Sequence, residues 1–370
     1  MREREMADLE KIRRSLAGRL RQAHADKRLA DFRVVTMNDF SLDRIVSIDG
    51  FQGFVHEAGN VLSRGGGLLP RSVQTVQQGG CAANAATTLA RLGVGTWFIC
   101  RTDELGRHLL AYYLERNGVN IDHVKSDGHL ALVTCLEVGA EKHNIMINDL
   151  DSFASFGYSD LTEKDLELLD SADMVGIFDW TLNGRGTDLA HGVCSRLGSK
   201  GVPVFLDTSD PAPRAGEIKE LFAKVFTNPG LRYLNLNENE LCQFSDVPNG
   251  ASSVDEYLEL TRSLQKRIRP LLNVHTTKFS IDVSAGDTVV PTFAIHPRRA
   301  TGSGDTWNGG NIAGFLLGCG PAERLMLANA AAAIYGESED ARRPTLIDVA
   351  QFLEDSSRGF NEPSSVKACT

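Results

Sequence analysis

The sequence predicts an α/β fold, a doubly wound and mostly parallel sheet flanked by helices, with a smaller β-sheet beside it. Three observations carry this expectation. Short β-rich runs alternate with helical runs over most of the chain. Several helical runs stop at a glycine, as at Gly93 and Gly118. One stretch, 130–148, breaks the alternation by placing two strands together with no helix between them.

Taken in order, Leu9, Ile12, Leu16 and Leu20 recur at helical spacing in a charged segment and predict an N-terminal helical extension over residues 1–32. Arg33 to Met37 reads as a buried strand that delivers polar residues, up to Asp43, at its C-terminal end. Glycines are frequent from Gly50 to Gln78, and residues 71–76 alternate like a half-exposed strand. Cys81 to Gly93 is a helix of small residues able to lie close to a sheet. A strand at 96–100, a helix at 105–117 and the strand pair 130–138 and 144–147 come next.

The alternation then resumes. Strands are expected at 174–178, 202–206, 233–236 and 272–275, and helices at 186–197, 215–223 and 253–268. A hairpin over 279–295 leads into one long helix, 306–335. The expected organisation is one α/β domain over 33–361, with β-rich insertions at about 50–78 and 130–148, and a tail over 362–370.

With 42% hydrophobic and 24% charged residues, the chain has the composition of a folded soluble protein. A net charge of -9 repels nucleic acid and anionic membrane surfaces, so neither is an expected partner. Seven cysteines without a C-x-x-C pair suit neither a disulfide framework nor a zinc site and read as reduced thiols. No apolar run reaches the ~18 residues of a spanning helix, and the acidic N-terminal segment does not read as a targeting signal. A cytoplasmic location is the expectation.

The most informative stretch is Thr301-Gly302-Ser303-Gly304-Asp305, just ahead of the last long helix. Helix N-termini leave amides unpaired and carry partial positive charge, and glycines let those amides converge on an anion. Asp305 read alone is also explained as an N-cap. The chain has no Gly-Lys pair, hence no Walker A loop, and no G-x-G-x-x-G after a strand. What remains is an anion hole beside a carboxylate, an arrangement suited to phosphoryl transfer.

On these residues the chain resembles the PfkB, or ribokinase-like, family of carbohydrate kinases. Thr301 to Asp305 is similar to the family's C-terminal signature, and Gly79-Gly80, Asn84 and Leu92-Gly93 to its N-terminal one. Asp103 to Gly106, with Asn117 to Val119, is similar to the segment after the next strand. The resemblance implies a kinase moving the γ-phosphoryl of ATP to a hydroxyl of a sugar or sugar-like compound. Asp305 is then the general base, and Gly302, Ser303 and Gly304 donate amides to the phosphate. Asp43, Gly79, Gly80 and Asn84 bind the acceptor. Asn237 and Glu240 organise water around Mg2+, and Thr276 and Asn329 lie on the nucleotide side. The resemblance also leaves room for a monovalent cation, makes the inserted β-rich stretches a lid, and implies a homodimer through that lid.

Two segments depart from the family pattern. The first strand reads Thr36-Met37-Asn38 where relatives commonly carry glycine, and 275–280 lacks the usual Thr-x-Gly turn. Its His275-Thr276 pair is similar to the ADP-dependent sugar kinases, which share the fold. Lys278 is within reach of a phosphate, and 207–211 lies in the region that approaches phosphate or lid. Beyond Arg71 no basic cluster accompanies Asp43 or Asn84, which points to an unphosphorylated sugar or nucleoside. The alternatives are an ADP-dependent kinase and a catalytically silent sugar- or nucleotide-binding protein on the same scaffold.

Overall fold

Val34 and Val35 point to opposite faces of one strand, yet both are fully buried, because helices cover both sides of the sheet they enter. The computed structural model describes residues 3–69, 72–139, 143–247, 250–299 and 301–362. Its strands are β1 (Arg33–Asn38), β2 (Ser41–Ile48), β3 (Gln74–Gly79), β4 (Gly95–Cys100), β5 (Val119–Asn120), β6 (Ala131–Val138), β7 (His143–Asp149), β8 (Met174–Ile177), β9 (Val204–Asp207), β10 (Leu231–Asn237), β11 (Leu271–His275), β12 (Phe279–Asp282) and β13 (Thr288–Pro291). Its helices are α1 (Glu3–Ala25), α2 (Phe51–Ser63), α3 (Cys81–Leu92), α4 (Glu104–Tyr113), α5 (Asp151–Ala154), α6 (Glu163–Asp170), α7 (Gly186–Gly198), α8 (Ile218–Leu221), α9 (Glu238–Phe244), α10 (Val254–Gln265), α11 (Ser303–Leu316), α12 (Pro321–Glu337) and α13 (Leu346–Glu354).

Nine strands form the large sheet in the order β13-β12-β11-β10-β9-β8-β1-β4-β5. Every pair from β11 through to β5 is parallel, and the hairpin β12–β13 adds an antiparallel edge. One apolar layer joins Val34 and Phe98 to α1, α3, α11, α12 and α13. The other joins Val35, Ile177 and Leu206 to α6, α7, α9 and α10. From β1 the chain runs outward to β4 on one side, and later to β8, β9, β10 and β11 on the other. The strand order therefore reverses beside β1, and crevices at the C-terminal ends of parallel strands form at such a reversal. Among the described residues no helix is long and apolar enough to cross a membrane.

The small sheet has the order β3-β2-β6-β7, with β2 and β6 parallel and its other two pairs antiparallel. The structure corrects the sequence reading in several places. Asp43 does not end the first strand; the chain turns at Asp39-Phe40 and starts β2, which carries Asp43 into the small sheet. Residues 51–63, expected among β-rich lid segments, form α2, in which nothing is buried. Phe51, Phe54, Val55, Ala58, Val61 and Leu62 do recur at helical spacing, a pattern obscured by the frequent glycines of this stretch. Pro211, Pro213 and Gly216 deny 215–223 a regular start, so a 3-10 turn, the single turn α8 and a π-turn replace the expected helix. Gly318, at φ +65°, and Pro321 at the first helical position split the expected long helix into α11 and α12. Arg71 and nearly all of the 362–370 tail lie outside the described residues.

Candidate active site

Helix α11 begins at Gly302, whose φ of +85° belongs to the left-handed region that favours glycine. A Cβ there would also stand 2.8 Å from the Tyr335 hydroxyl. With Gly302 as the cap, Asp305 sits inside the first turn and is not itself the N-cap. The amides of that turn have no acceptor within the helix and face outward at its positive end. Asp305 Oδ2 accepts a 2.8 Å hydrogen bond from Asn84 Nδ2, so the carboxylate reaches across to α3.

Asp305 lines one of two cavities that meet at its neighbour Gly304. The first, about 310 Å³, is lined by Asp39, Asp43, Gly80, Cys81, Asn84, Asp179, Asp207, Asp210, Asn237, Glu240, His275, Gly302, Gly304 and Asp305, with small-sheet residues Val133 and Met146 closing it. The second, about 720 Å³, is lined by Thr276, Thr277, Lys278, Phe293, Ile295, Arg299, Ser303, Gly304, Trp307, Asn329 and Ala333, among others. His275 and Gly304 belong to both walls. Both volumes fall in the range of small-molecule sites, ~300–1,000 Å³.

In the first cavity the parallel strands deliver carboxylates at their C-terminal ends: Asp39 after β1, Asp179 after β8 and Asp207 at the end of β9. Asp39 accepts from the amides of Cys81 and Ala82 and so caps α3. Burial, opposed by those amides and reinforced by Asp207, still pushes it up to about 7. Burial raises Asp305 to about 7 and Asp43 to about 6, the Ser41 hydroxyl at 2.7 Å partly opposing it for Asp43. Asp43 presses on Gly79, where an added Cβ would overlap its carboxylate. Asp179, Asp207 and Glu240 are also held above the usual carboxylate range, chiefly by burial. Such a group of mutually repelling acids is poised to receive hydrogen-bond donors or a cation.

The second cavity is built differently. Trp307 stacks on His275 with ring centres 5.0 Å apart. Burial lowers His275 to about 4, so the ring is neutral, and its Nδ1 lies 3.1 Å from Asn235 Nδ2. Asn235 Nδ2 also donates to Asn308, which donates at 2.7 Å to Asp207, tying the two cavities together through α11.

Of the residues expected from sequence, Asp43, Gly80, Asn84, Asn237, Glu240, Gly302, Gly304 and Asp305 converge on the first cavity. Gly79 stands behind Asp43, and Ser303, Thr276 and Asn329 face the second cavity. Two of them have their polar atoms committed. Thr276 Oγ1 bonds Phe279 O and accepts the amides of Lys278 and Phe279, while Asn329 bonds Ser280, Trp307 and two β13 carbonyls. Asn237 and Glu240 form a reciprocal capping box at the start of α9. The structure adds Asp39 and Asp179, whose signal in the sequence was an acid within two residues of the end of an apolar strand, and it brings Asp207 of the 207–211 segment into the same wall.

Known proteins resemble this chain in sequence and in fold. Residues 62–347 match the family model described as pfkB family carbohydrate kinase. The ribokinase of Bacillus subtilis (strain 168) is 28% identical over 295 residues, covering 77% of this chain and 90% of that protein. Two solved structures share the fold over 88% of this chain and 100% of their own: ribokinase of Arabidopsis thaliana complexed with ribose and ATP (20% identity, TM-score 0.67), and adenosine kinase of Sinorhizobium meliloti (19% identity, TM-score 0.68). The matched family model spans more than three-quarters of the sequence, and on that ground the chain belongs to the PfkB family of carbohydrate kinases.

Proposed function

We propose that the protein transfers the γ-phosphoryl group of ATP to a hydroxyl of an unphosphorylated sugar or nucleoside, with Asp305 as general base. The observation that carries this reading is the position of Asp305, which lines the acidic cavity from the first turn of α11, one residue after Gly304, a residue of both cavity walls. The acceptor occupies the acidic cavity, with Asp43 accepting from its hydroxyls. The nucleotide lies in the second cavity against Trp307 and Ala333, near Lys278 and Arg299. That the Arabidopsis ribokinase was solved with both ribose and ATP supports a two-substrate arrangement.

In the reaction the acceptor oxygen attacks phosphorus as its proton passes to Asp305, and the bond to the β-phosphate oxygen breaks to release ADP. Amides of Gly302, Ser303, Gly304 and Asp305 stabilise the charge on the migrating group. Glu240 fits a hydrated cation, since burial and nearby Asp207 suppress its charge unless positive charge approaches. Asn237 and Glu240 would hold the water shell of magnesium, which supplies charge neutralisation at the nucleotide phosphates.

Replacing Asp305 by Asn tests the reading. Turnover of ATP with magnesium and a panel of pentoses, hexoses and nucleosides should fall by about 10²–10⁴-fold while nucleotide binding persists. Undiminished turnover removes Asp305 from the mechanism. If the wild-type protein binds a sugar or nucleoside tightly and releases no ADP, it is a silent binder.

A lid-to-lid homodimer belongs to the same proposal. Val76, Leu132, Ile145 and Ile147 leave an apolar surface open on the face of the small sheet turned away from the cavity. Sedimentation should give about twice the 40.3 kDa chain mass, and a monomer at micromolar concentration would sink this part alone.

A further inference from the structure

Arg343 lines neither cavity, yet it is only 6% exposed. Its guanidinium lies 3.9 Å over the Tyr335 ring. Nη2 donates to Asn84 Oδ1 at 2.7 Å, Nη1 donates to Ala341 O at 3.2 Å, and Nε has no partner. Among the described residues Arg343 makes no ion pair within 4.0 Å. A cation withdrawn from water needs compensating negative charge, and a ring face and neutral oxygens supply it only in part.

The missing counter-charge stands one amide away. Arginine offers donors only, so Asn84 must turn its oxygen to Arg343. The amide nitrogen of Asn84 is then forced toward Asp305, where it donates to Oδ2 at 2.8 Å. Reversing the amide would set donor against donor at one end and carbonyl against carboxylate at the other. Gln78 Nε2, 3.1 Å from the same Asn84 oxygen, agrees with this orientation. The same arginine and the Tyr335 hydroxyl flank Gly302, and that hydroxyl donates to Thr301 O at 3.0 Å, so one cluster supports both the carboxylate and the start of α11.

We propose that Arg343 is a positioning residue, which through the Asn84 amide holds one oxygen of Asp305 and leaves the other to take the acceptor proton. This rests on Asp305 being the base. The other ionisable groups that face Asp305 are Asp39 from the β1–β2 turn, Cys81 from α3, Asp179 after β8, Asp207 from β9 and the neutral His275 from β11. None of these brings positive charge. Arg343 is the cation that opposes the acids, and its field favours the ionised, proton-accepting form.

The test is the pH profile of kcat/KM for wild type, Arg343→Gln and Arg343→Lys. An ionised base gives rates that fall as pH drops below its pKa, and removing the cation raises that pKa. Arg343→Gln should move the acidic limb up by about one pH unit, costing about tenfold below the limb and less at high pH. Arg343→Lys, which keeps the charge and a donor for Asn84, should restore the wild-type limb. A limb that stays put in a folded Arg343→Gln overturns the proposal, as does a loss that is equal at every pH.

Should Arg343→Gln fail to fold, Asn84→Ala cuts the relay with Arg343 in place. It should shift the limb upward, and an unmoved limb overturns the proposal. The Asp305→Asn control separates the two claims. If that variant is inactive while the Arg343→Gln limb is unmoved, only the positioning role falls; if it turns over freely, the base beneath it falls.

Discussion

The two cavities that share His275 and Gly304 differ in charge more than in any other respect. Among the described residues the first draws seven carboxylates from its walls, at Asp39, Asp43, Asp179, Asp207, Asp210, Glu240 and Asp305, and no lysine or arginine. The second has Lys278 and Arg299 against one acid, Glu238, and a largely apolar floor of Phe293, Ile295, Trp307, Ala332 and Ala333. A phosphate entering the first would meet like charge in a poorly solvated space, whereas polyol hydroxyls would meet acceptors. On the proposed reading, the division of charge decides which substrate brings the phosphate and which brings the proton. It also disfavours an acceptor that is already phosphorylated.

The acidic side offers the sharper way to break this comparison. Asp43 projects from β2 of the small sheet, its carboxylate held by Ser41 and by contact with Gly79. Hydrogen bonds to a charged group are worth ~1.5–3 kcal/mol, so Asp43→Asn should lower kcat/KM for the acceptor by about 10- to 100-fold. KM for the nucleotide should hardly move. Equal effects on both substrates would mean that the two cavities are not separate binding sites, and the contrast in their walls would lose its functional meaning.

How far each region could be read from sequence follows the same physics. The large sheet was legible because strands buried on both faces leave continuous apolar runs such as Val34 to Met37, and because glycines stop the helices between them. Asp305, Asn84 and Glu240 were legible because each sits in a short motif whose spacing is fixed by one helix start. The small sheet was harder to read. Asp43 changed sheets because the turn at Asp39-Phe40 joins two strands with only two residues, leaving no loop signature. Helix α2 carries apolar residues at helical spacing, at Phe51, Phe54, Val55, Ala58, Val61 and Leu62, but Gly53 and Gly59 inside it read as loop. Arg343 could not be found by motif at all. It lies 259 residues from Asn84 in sequence, and only the packing of the loop before α13 on α3 brings them together.

The cationic side should give the smallest effect, for a reason that its geometry supplies. Lys278 lies in the turn between β11 and β12, where its backbone amide bonds Thr276 Oγ1 and its side chain makes no ion pair among the described residues. A lysine that meets a phosphate at the open edge of a cavity acts as a point charge in high dielectric, and such contacts contribute ~0.2–1 kcal/mol. Lys278→Ala should therefore raise nucleotide KM by only about 2- to 5-fold, with kcat and acceptor KM unchanged. The increment should shrink as ionic strength rises and the charge is screened. A fall in kcat of the size expected for Asp305→Asn would instead place Lys278 on the migrating phosphoryl, and positive charge would then belong to the chemistry between the cavities as much as to nucleotide binding in the second.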